Sequence, residues 1–272
     1  MNKSYTVIIW LIILILIVIF LAKIIIPTNI ENLKNLKNLK NIEIVISRYN
    51  ENLDFLFKKP FSDCENITCY DKGEFKPKSG YPLNCTVIRL PNVGRCDHTY
   101  LYHIIKNYNK LYDMTVFLPA SCTMSYKKNP TYHVLSNVHK LKTVLTHKSN
   151  HDYIPGFYDF SLDFYSATNP SNKKLNPESK LLLSPIRPFG KWYKHNYPEL
   201  ENAPIHYACW YGILSVSKKD ILRNPIDKYR KLISYIDHHS NPEVGHYMER
   251  SWGALFLQDK ETLEYKYEDE DS

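Results

Sequence analysis

The clearest pattern of hydrophobic and polar positions lies in the middle of the chain, over Arg89–Ser121. Asp97 stands just before a predicted helix as its expected N-cap, and Thr115–Leu118 follows that helix as a β-branched and aromatic run, typical of a buried strand. The helix is predicted from apolar residues three and four positions apart: Leu101, Ile104, Ile105, Tyr108, Leu111 and Tyr112. A helix between two short strands predicts a crossover in a mainly parallel sheet.

Shorter patterns on both sides complete an α/β domain. We expect strands at Ile42–Ser47, Cys64–Glu74, Asn84–Arg89 and Tyr207–Val216. We expect helices at Leu53–Phe57, Tyr132–Val144 and Ile226–Ile236, and a helix opened by Ser217 with Asp220 as a capping box. The segment from His147 to Pro198 is rich in Pro, Asn, Ser and aromatic residues, which predicts long loops.

The last strong pattern begins at Asn241-Pro242-Glu243, a typical helix start. One face of this helix is apolar and is formed by Val244, Tyr247, Met248, Ser251, Trp252, Leu255 and Phe256. The other face carries His246, Glu249, Arg250 and Gly253. A solvated surface is the ordinary interpretation of that face. Glu249, however, lies at the border of the apolar face, where partial burial would raise its pKa as general-base chemistry needs.

The N-terminus predicts a membrane anchor. Tyr5–Ala22 is an unbroken apolar run that Ile24–Ile26 extends past Lys23, about the 20 residues that span a bilayer. A cleaved signal peptide is the rival interpretation, but Phe20 and Ala22 make a poor cleavage site. We therefore divide the chain into a cytoplasmic tip and transmembrane anchor (1–27), an Asn-Leu-Lys stem (28–41), an α/β domain (42–260) and an acidic tail (261–272).

Two signals in the sequence predict opposite orientations for a single-pass anchor. Lys3 precedes the apolar run, whereas four lysines follow it, so the positive-inside rule would place the domain in the cytoplasm. Two glycosylation sequons, at Asn66 and Asn84, lie among four clustered cysteines, Cys64, Cys69, Cys85 and Cys96. This clustering favours a lumenal or external domain with at least one disulfide.

Composition and charge limit the classes of ligand and partner that we expect for this protein. The formal charge is +7, and because the tail Glu264–Ser272 contributes −4, the rest of the chain carries +11. A basic body attracts phosphates, sugar nucleotides or anionic lipid. No nucleic-acid-binding motif, zinc spacing or nucleophile elbow is present, and none of the 8 glycines forms a glycine-rich phosphate motif. We expect no nucleic-acid partner and no structural metal.

The turn Asn92-Val93-Gly94-Arg95 is the first candidate for a binding site. It lies where a strand ends and the central helix begins, and the free amides and dipole of a helix N-terminus favour anions. The alternative is an ordinary connection in which Gly94 only makes the turn.

Several motifs carry a resemblance to a family. They are Ser47-Arg48-Tyr49-Asn50-Glu51, Leu90-Pro91-Asn92-Val93-Gly94-Arg95, His98-Thr99-Tyr100-Leu101 and the run from Asn241 to Trp252, NPEVGHYMERSW. Together they resemble the Domain of Unknown Function 3431 family, from about Ile42 to Phe256. Its members occur in fungi, other microbes and large DNA viruses, and the family has no settled activity. The Lys-, Asn-, Ile- and Tyr-rich composition is compatible with an AT-rich viral genome.

A second resemblance is to A-type glycosyltransferases, in which a strand, a Tyr-Asn-Glu loop and a helix lie against the nucleotide. The run Trp210–Asp220 resembles their acceptor-side strand and helix. These enzymes normally hold a divalent metal through Asp-x-Asp after the fourth strand, but the sequence here is Leu118-Pro119-Ala120-Ser121-Cys122, without an acid. The resemblance therefore implies a glycosyltransferase-A-like fold with metal-free transfer, or with no catalysis.

On this interpretation the protein transfers a sugar from a nucleotide donor to a glycan or protein acceptor. Arg48 and Asn50 would contact the donor, and Glu249 would be the catalytic base. The residues expected to line the pocket are Asn92, Arg95 and His98, with His246 and Arg250 beside Glu249 for phosphate or base positioning. The nucleotide sugar would be a substrate, and no cofactor is expected. The alternative is a non-catalytic, membrane-anchored structural or binding protein, such as a virion or surface component.

Overall fold

The computed structural model describes residues 41–148, 181–200, 209–256 and 263–267, together with Trp10 and Ser161. Its centre is a seven-stranded sheet in the order β3-β2-β1-β4-β6-β5-β7. The strands are β1 (Ile42–Arg48), β2 (Ile67–Asp71), β3 (Cys85–Arg89), β4 (Met114–Pro119), β5 (Val144–Lys148), β6 (Cys209–Ser217) and β7 (Leu263–Tyr267).

The sheet is mainly parallel, as predicted. Strand β6 runs antiparallel to both of its neighbours, β4 and β5. The other pairs, β1 with β2, β1 with β4, β2 with β3, and β5 with β7, are parallel. The chain builds outward from β1 in one direction through β2 and β3, and then returns to the other side of β1 with β4. This reversal opens a crevice between the carboxyl ends of β1 and β4, the usual ligand position in open α/β sheets.

Helices cover both faces of the sheet. The α-helices are α1 (Arg95–Asn107), α2 (Ser125–Asn137), α3 (Phe189–Asn196), α4 (Lys218–Leu222), α5 (Ile226–Ile233) and α6 (Glu243–Phe256). Short 3₁₀ helices form at Asp54–Phe57, Phe61–Asp63, Val138–Lys140 and Pro198–Leu200. The side chains of β1 show the two cores, since Val45 packs with the residues of α1, α3 and α6 whereas Ile44 and Ile46 pack with those of α2. Every residue of β1 is buried because both faces are covered.

The helix α1 begins differently from our prediction. Gly94, with φ 58°, occupies the N-cap position in the left-handed region, and the helix starts at Arg95. Asp97 as N-cap is therefore wrong, because it lies in the first turn and is buried there. Its carboxylate accepts a hydrogen bond from the indole Nε1 of Trp252 instead of capping backbone amides.

Other boundaries also differ. The helix expected at Tyr132–Val144 lies earlier, as α2, and Val144 begins β5, where its β-branched side chain is fully buried. Helix α3 falls within the region expected to be loops, most of which lies outside the described residues. Strand β7 comes from the expected acidic tail and pairs with β5. The capping role of Ser217 is confirmed, since its side chain accepts from the amide of Asp220 at 3.1 Å.

All six cysteines are free thiols, so the disulfide expected among the four clustered ones is absent from the structure. The S–H of Cys64 points to the carbonyl of Asn66 at 3.5 Å, whereas Cys96 lies at the start of α1.

The helices of the described ranges are all too short or too polar to cross a bilayer. The expected anchor lies outside the described residues apart from Trp10, as does the stem apart from Asn41.

Candidate functional site

A cavity of about 430 Å³ opens at the carboxyl edge of the parallel strands, at the point where the strand order reverses. Its walls come from the ends of β1 and β4, the segment after β2, and the first residues of α1, α2 and β6. Strand β6 reaches this edge with its beginning because it runs antiparallel. The lining residues include Ser47, Arg48, Tyr49, Glu51, Lys72, Asn92, Arg95, Cys96, Pro119, Ser121, Tyr126, Lys127, Tyr211, Ser240 and Glu249.

A second cavity, of about 490 Å³, lies at the opposite edge of the sheet. Residues lining it include Asn41, Glu43, Asn107, Lys110, Asp113 and Lys218, near the beginnings of β1 and β4. Although this cavity is the larger one, ligands of open α/β sheets bind at the carboxyl edge. We therefore take the carboxyl-edge cavity as the candidate active site.

Four of the residues selected from the sequence line this cavity: Arg48, Asn92, Arg95 and Glu249. They come from β1, from the turn before α1, from α1 itself and from α6, so the fold brings them together from distant parts of the chain. His246 stands beside Arg95, with Nε2 2.7 Å from its Nη1. Since a guanidinium can only donate, this imidazole nitrogen is the acceptor and the ring is neutral.

The other three selected residues, like His246, are outside the set that lines the cavity. The side-chain oxygen of Asn50 accepts from the amides of Glu74 and Phe75, at 3.1 and 3.3 Å, and so holds the segment after β2. His98 is buried, and its ring stacks on Tyr102. Burial, with a contribution from the nearby positive charge of Lys72, lowers the pKa of His98 to about 4.

Arg250 is the third of these. It is buried, donates from Nη1 to the carbonyl of His246 at 2.9 Å, and places its guanidinium over the ring of Trp210 at 4.8 Å. The same Nη1 lies 3.7 Å from Oε2 of Glu249, so the Arg250 side chain supports α6 and also pairs with the acid that lines the cavity.

Arg48 lines the cavity, but its side chain is occupied in an ion pair. Only 1% of that side chain is exposed, and its Nη1 lies 2.7 Å from Oδ1 of Asp71 on the neighbouring strand. Its Nε donates to the carbonyl of Glu51 at 2.8 Å. Burial raises the pKa of Asp71, but hydrogen bonds from Tyr81, Gly73 and Arg48 outweigh burial and lower it below its usual value. Arg48 thus ties the ends of β1 and β2 together.

Asp97 is a carboxyl that our sequence interpretation treated only as a cap. Burial, and secondly the charge of Glu249, raise the pKa of Asp97 to about 7, against a smaller lowering by Arg95. Two acids therefore share the region under the cavity, and one of them titrates near neutral pH. A signal existed in the sequence: Asp97 lies four residues before Leu101, on the apolar face of the helix.

Two lysines of the cavity were also missed. Lys72 is 6% exposed and donates from Nζ to the carbonyls of Val93, at 2.6 Å, and Arg95. Lys127 donates to the hydroxyl of Ser121 at 2.8 Å. Burial lowers the pKa of Lys72 to about 8, and burial also lowers the pKa of Lys127. Each lysine belongs to an unremarkable polar segment, so nothing in the local sequence marks them.

An aromatic rim completes the cavity. The rings of Tyr126 and Tyr211 lie 5.4 Å apart, and the Lys127 ammonium lies 5.6 and 5.9 Å from their centroids. Tyr211 has a positive φ of 65°, and Arg95 has one of 53°. In the described part of the chain, Leu141 is the one further non-glycine residue with positive φ. Strained backbone of this kind tends to collect at functional sites.

Metal ligands are not grouped in the described ranges, where no three His, Cys, Asp or Glu side chains lie close enough together to hold a metal ion. The end of β4 at Pro119 and the segment after it, with Ser121, contribute no acid to the cavity. The cationic side chains that line the described cavity include Arg95, Lys72 and Lys127.

Comparison with known proteins adds the family. No curated protein and no solved structure is similar enough to match the chain. One family model, described as Protein of unknown function (DUF3431), matches residues 45–268 and so covers most of the chain, from within β1 to just beyond β7. The protein therefore belongs to the DUF3431 family, as its motifs around Arg48, Gly94 and Glu249 predicted.

Proposed function

We propose that this protein is a membrane-anchored, glycosyltransferase-like enzyme that transfers a sugar from a nucleotide donor to an acceptor hydroxyl. The observation that carries the proposal is the composition of the carboxyl-edge cavity. It places the carboxylate of Glu249 in one pocket with Arg95 and Lys127, at the switch point of an α/β sheet. A base beside cations suits a reaction in which a hydroxyl loses a proton while a phosphate leaves.

Glu249 is the proposed general base. It lies half-buried on α6 with 15% of its side chain exposed, so it reaches the cavity from a rigid element. In the reaction the acceptor oxygen forms a bond to the anomeric carbon of the donor sugar, and its proton passes to Glu249. The bond from that carbon to the phosphate oxygen breaks, and its electron pair leaves with the nucleoside diphosphate. The protonated Glu249 then returns its proton to solvent.

Arg95 is the proposed partner of the leaving phosphate. Its position depends on His246, whose neutral ring accepts the hydrogen bond from Nη1. The Arg95 side chain packs closely on α6 here, since a Cβ at position 245 would lie 3.4 Å from Cδ of Arg95, at van der Waals contact. His246 is on this view a positioning residue for Arg95 rather than a second base.

The location of the enzyme is part of the proposal. The apolar run Tyr5–Ala22 would hold it in a membrane as a single-pass protein, and the sequons at Asn66 and Asn84 support a lumenal or external domain. Glycan or protein acceptors carrying free hydroxyls would be available there.

The test is turnover of a panel of nucleotide sugars by the full-length protein, measured as release of nucleoside diphosphate. We expect Glu249→Gln to lower turnover about 10²- to 10⁴-fold with an unchanged fold, because it keeps the shape of the side chain but removes the base. Glu74→Gln, an exposed acid after β2, is the matched control and should keep full turnover. A protein that neither binds nor turns over any donor would support the alternative, a non-catalytic binding protein. Turnover unaffected by Glu249→Gln would remove Glu249 as the base.

A further inference from the structure

Lys72 is a buried cation that the charge of Asp97 favours only from beyond ion-pair distance. Its two recorded hydrogen-bond acceptors are the neutral carbonyl oxygens of Val93 and Arg95, and in the described residues no carboxylate forms an ion pair with it. Burying an ammonium in this way costs free energy unless an anion compensates it. The lowered pKa of Lys72 has the same origin, since burial disfavours the charged form.

Lys127 faces the same cavity from α2. Its ammonium is held by the Ser121 hydroxyl and by the rings of Tyr126 and Tyr211, and it too forms no ion pair with a carboxylate of the described chain. Glu249 lies near enough to favour the charged form of Lys127 in part, but burial outweighs this and lowers the pKa. Two ammonium groups therefore line the cavity, one from the segment after β2 and one from α2. Each is held in place by uncharged groups, the backbone carbonyls for Lys72 and a hydroxyl and aromatic rings for Lys127.

The start of α1 adds donors to the same wall. Arg95 and Cys96 both line the cavity. Their backbone amides belong to the first turn of a 13-residue helix and have no recorded acceptor within the described ranges. First-turn amides and the positive end of the helix dipole attract anions.

We propose that Lys72 and Lys127, with the first turn of α1 between them, form a binding site for a diphosphate group. A diphosphate presents oxygens in several directions and carries enough negative charge to meet both ammonium groups and the helix end. The cavity of about 430 Å³ has room for the diphosphate beside further parts of a ligand. That this diphosphate belongs to a nucleotide sugar rests on the function proposed above, whereas the site itself does not.

The experiment is calorimetric titration of the full-length protein with inorganic pyrophosphate. We expect the wild type to bind, and Lys72→Gln and Lys127→Gln each to raise the Kd about tenfold or more, as loss of a charged hydrogen bond does. Lys128→Gln is the matched control, since this lysine is adjacent to Lys127 on α2 but exposed, and it should leave the Kd unchanged. Absence of pyrophosphate binding by the wild type, or equal binding by all four proteins, would overturn the site.

Folding of the variants needs its own measurement, because Lys72 also holds the turn before α1. Thermal melting checks each variant, and the glutamine at position 72 keeps an N–H donor for the carbonyls. Should Lys72→Gln unfold, Lys127→Gln alone decides the matter, because Lys127 is less buried and donates to a side-chain hydroxyl rather than to the turn before α1.

The inference and the proposed function can fail separately. Pyrophosphate binding that depends on both lysines, in a protein that turns over no nucleotide sugar, would uphold the site and remove the transferase. Sugar transfer with a donor KM unchanged in both lysine variants would uphold the transferase and overturn the diphosphate site.

Discussion

Nη1 of Arg95 and Nε2 of His246 are 2.7 Å apart, although the two residues are 151 positions apart in the chain. This contact joins the first turn of α1 to the first turns of α6. The donor is a guanidinium that stays charged throughout the physiological pH range, so the contact requires a neutral imidazole. It fixes both the direction of Arg95 toward the cavity and the protonation state of His246.

The first prediction concerns that protonation state. Burial, followed by the charges of Arg95 and Arg250, holds the pKa of His246 well below its usual value of 6.5. In an NMR titration the His246 ring should remain neutral through pH 6, and Arg95→Gln should move its pKa upward, part of the way to 6.5. His246→Gln assigns the signal by removing it. Titration of the wild-type ring near pH 6.5 would mean that the contact is not formed in solution.

The second prediction concerns Asp97 and the pH dependence of stability. Its pKa of about 7 in the folded protein lies above the ordinary value of 3.8, so the folded state keeps a proton that the unfolded state loses. The free energy of unfolding should therefore fall as pH rises from about 4 to about 7, and stay lowered above that. Asp97→Asn keeps an oxygen for Trp252 and removes this penalty, which amounts to at most about 4 kcal/mol at pH 8.

Urea denaturation at pH 4, 6 and 8 measures this effect. Asp227→Asn, on the exposed surface of α5, should leave the pH profile of the wild type unchanged. Parallel profiles for Asp97→Asn and the wild type would show that Asp97 is ionised in the fold.

The third prediction separates backbone strain from steric overlap at two glycines. Gly94 and Gly80 both have positive φ, 58° and 70°. A Cβ at position 94 would lie 2.4 Å from the carbonyl oxygen of Ile236, whereas a Cβ at position 80 would meet nothing within 4 Å. Gly80→Ala should cost only the backbone term, about 1 kcal/mol.

Gly94→Ala should cost distinctly more, at least about 3 kcal/mol, because strain and overlap add. The two free energies of unfolding are compared by urea denaturation. Equal costs at the two positions would show that the turn before α1 can move away from Ile236.

The fourth prediction concerns the two sequons, in a secretory-pathway host. Asn84 is exposed and its Nδ2 donates to the carbonyl of Cys64 at 2.7 Å, whereas Asn66 is half-buried and is held through both its Nδ2 and its Oδ1. Its Nδ2 donates to the carbonyl of Ile42 and its Oδ1 accepts from Tyr112, each at 3.2 Å. Folded protein should therefore carry its glycan at Asn84, and Asn84→Gln alone should abolish the size shift on glycosidase treatment. A shift that persists in Asn84→Gln and disappears in Asn66→Gln would reverse the assignment.

The elements found from sequence are those whose signal is local. A continuous apolar run predicts a strand that is covered on both faces, and β1 and β4 agree with that prediction. The spacing of apolar residues predicts α1 and α6, because it reflects the helical repeat itself. Errors arose where local signals conflict, as at Val144, which ends a helical pattern but whose β-branched side chain suits a buried strand.

The charged residues of the site show the limit of this reasoning. Arg48 was predicted to contact a donor. Strand β2 lies beside β1 with Asp71 in register with Arg48, and the Arg48 side chain forms an ion pair with Asp71. Lys72 and Lys127 become candidate ligand-binding residues only because two separate elements bring them to one cavity.

By itself the sequence determined the α/β class, the mainly parallel sheet, the family and the turn at Gly94, because each depends on residues close together in the chain. The tertiary structure alone decided which polar groups share a cavity and which are neutralised by a partner. Strand order and register set those contacts between residues far apart in the chain, and no local periodicity encodes them. For the same reason the burial of the ionisable groups of Asp97 and Lys72, and the altered pKa values that follow from it, are evident only in the folded chain.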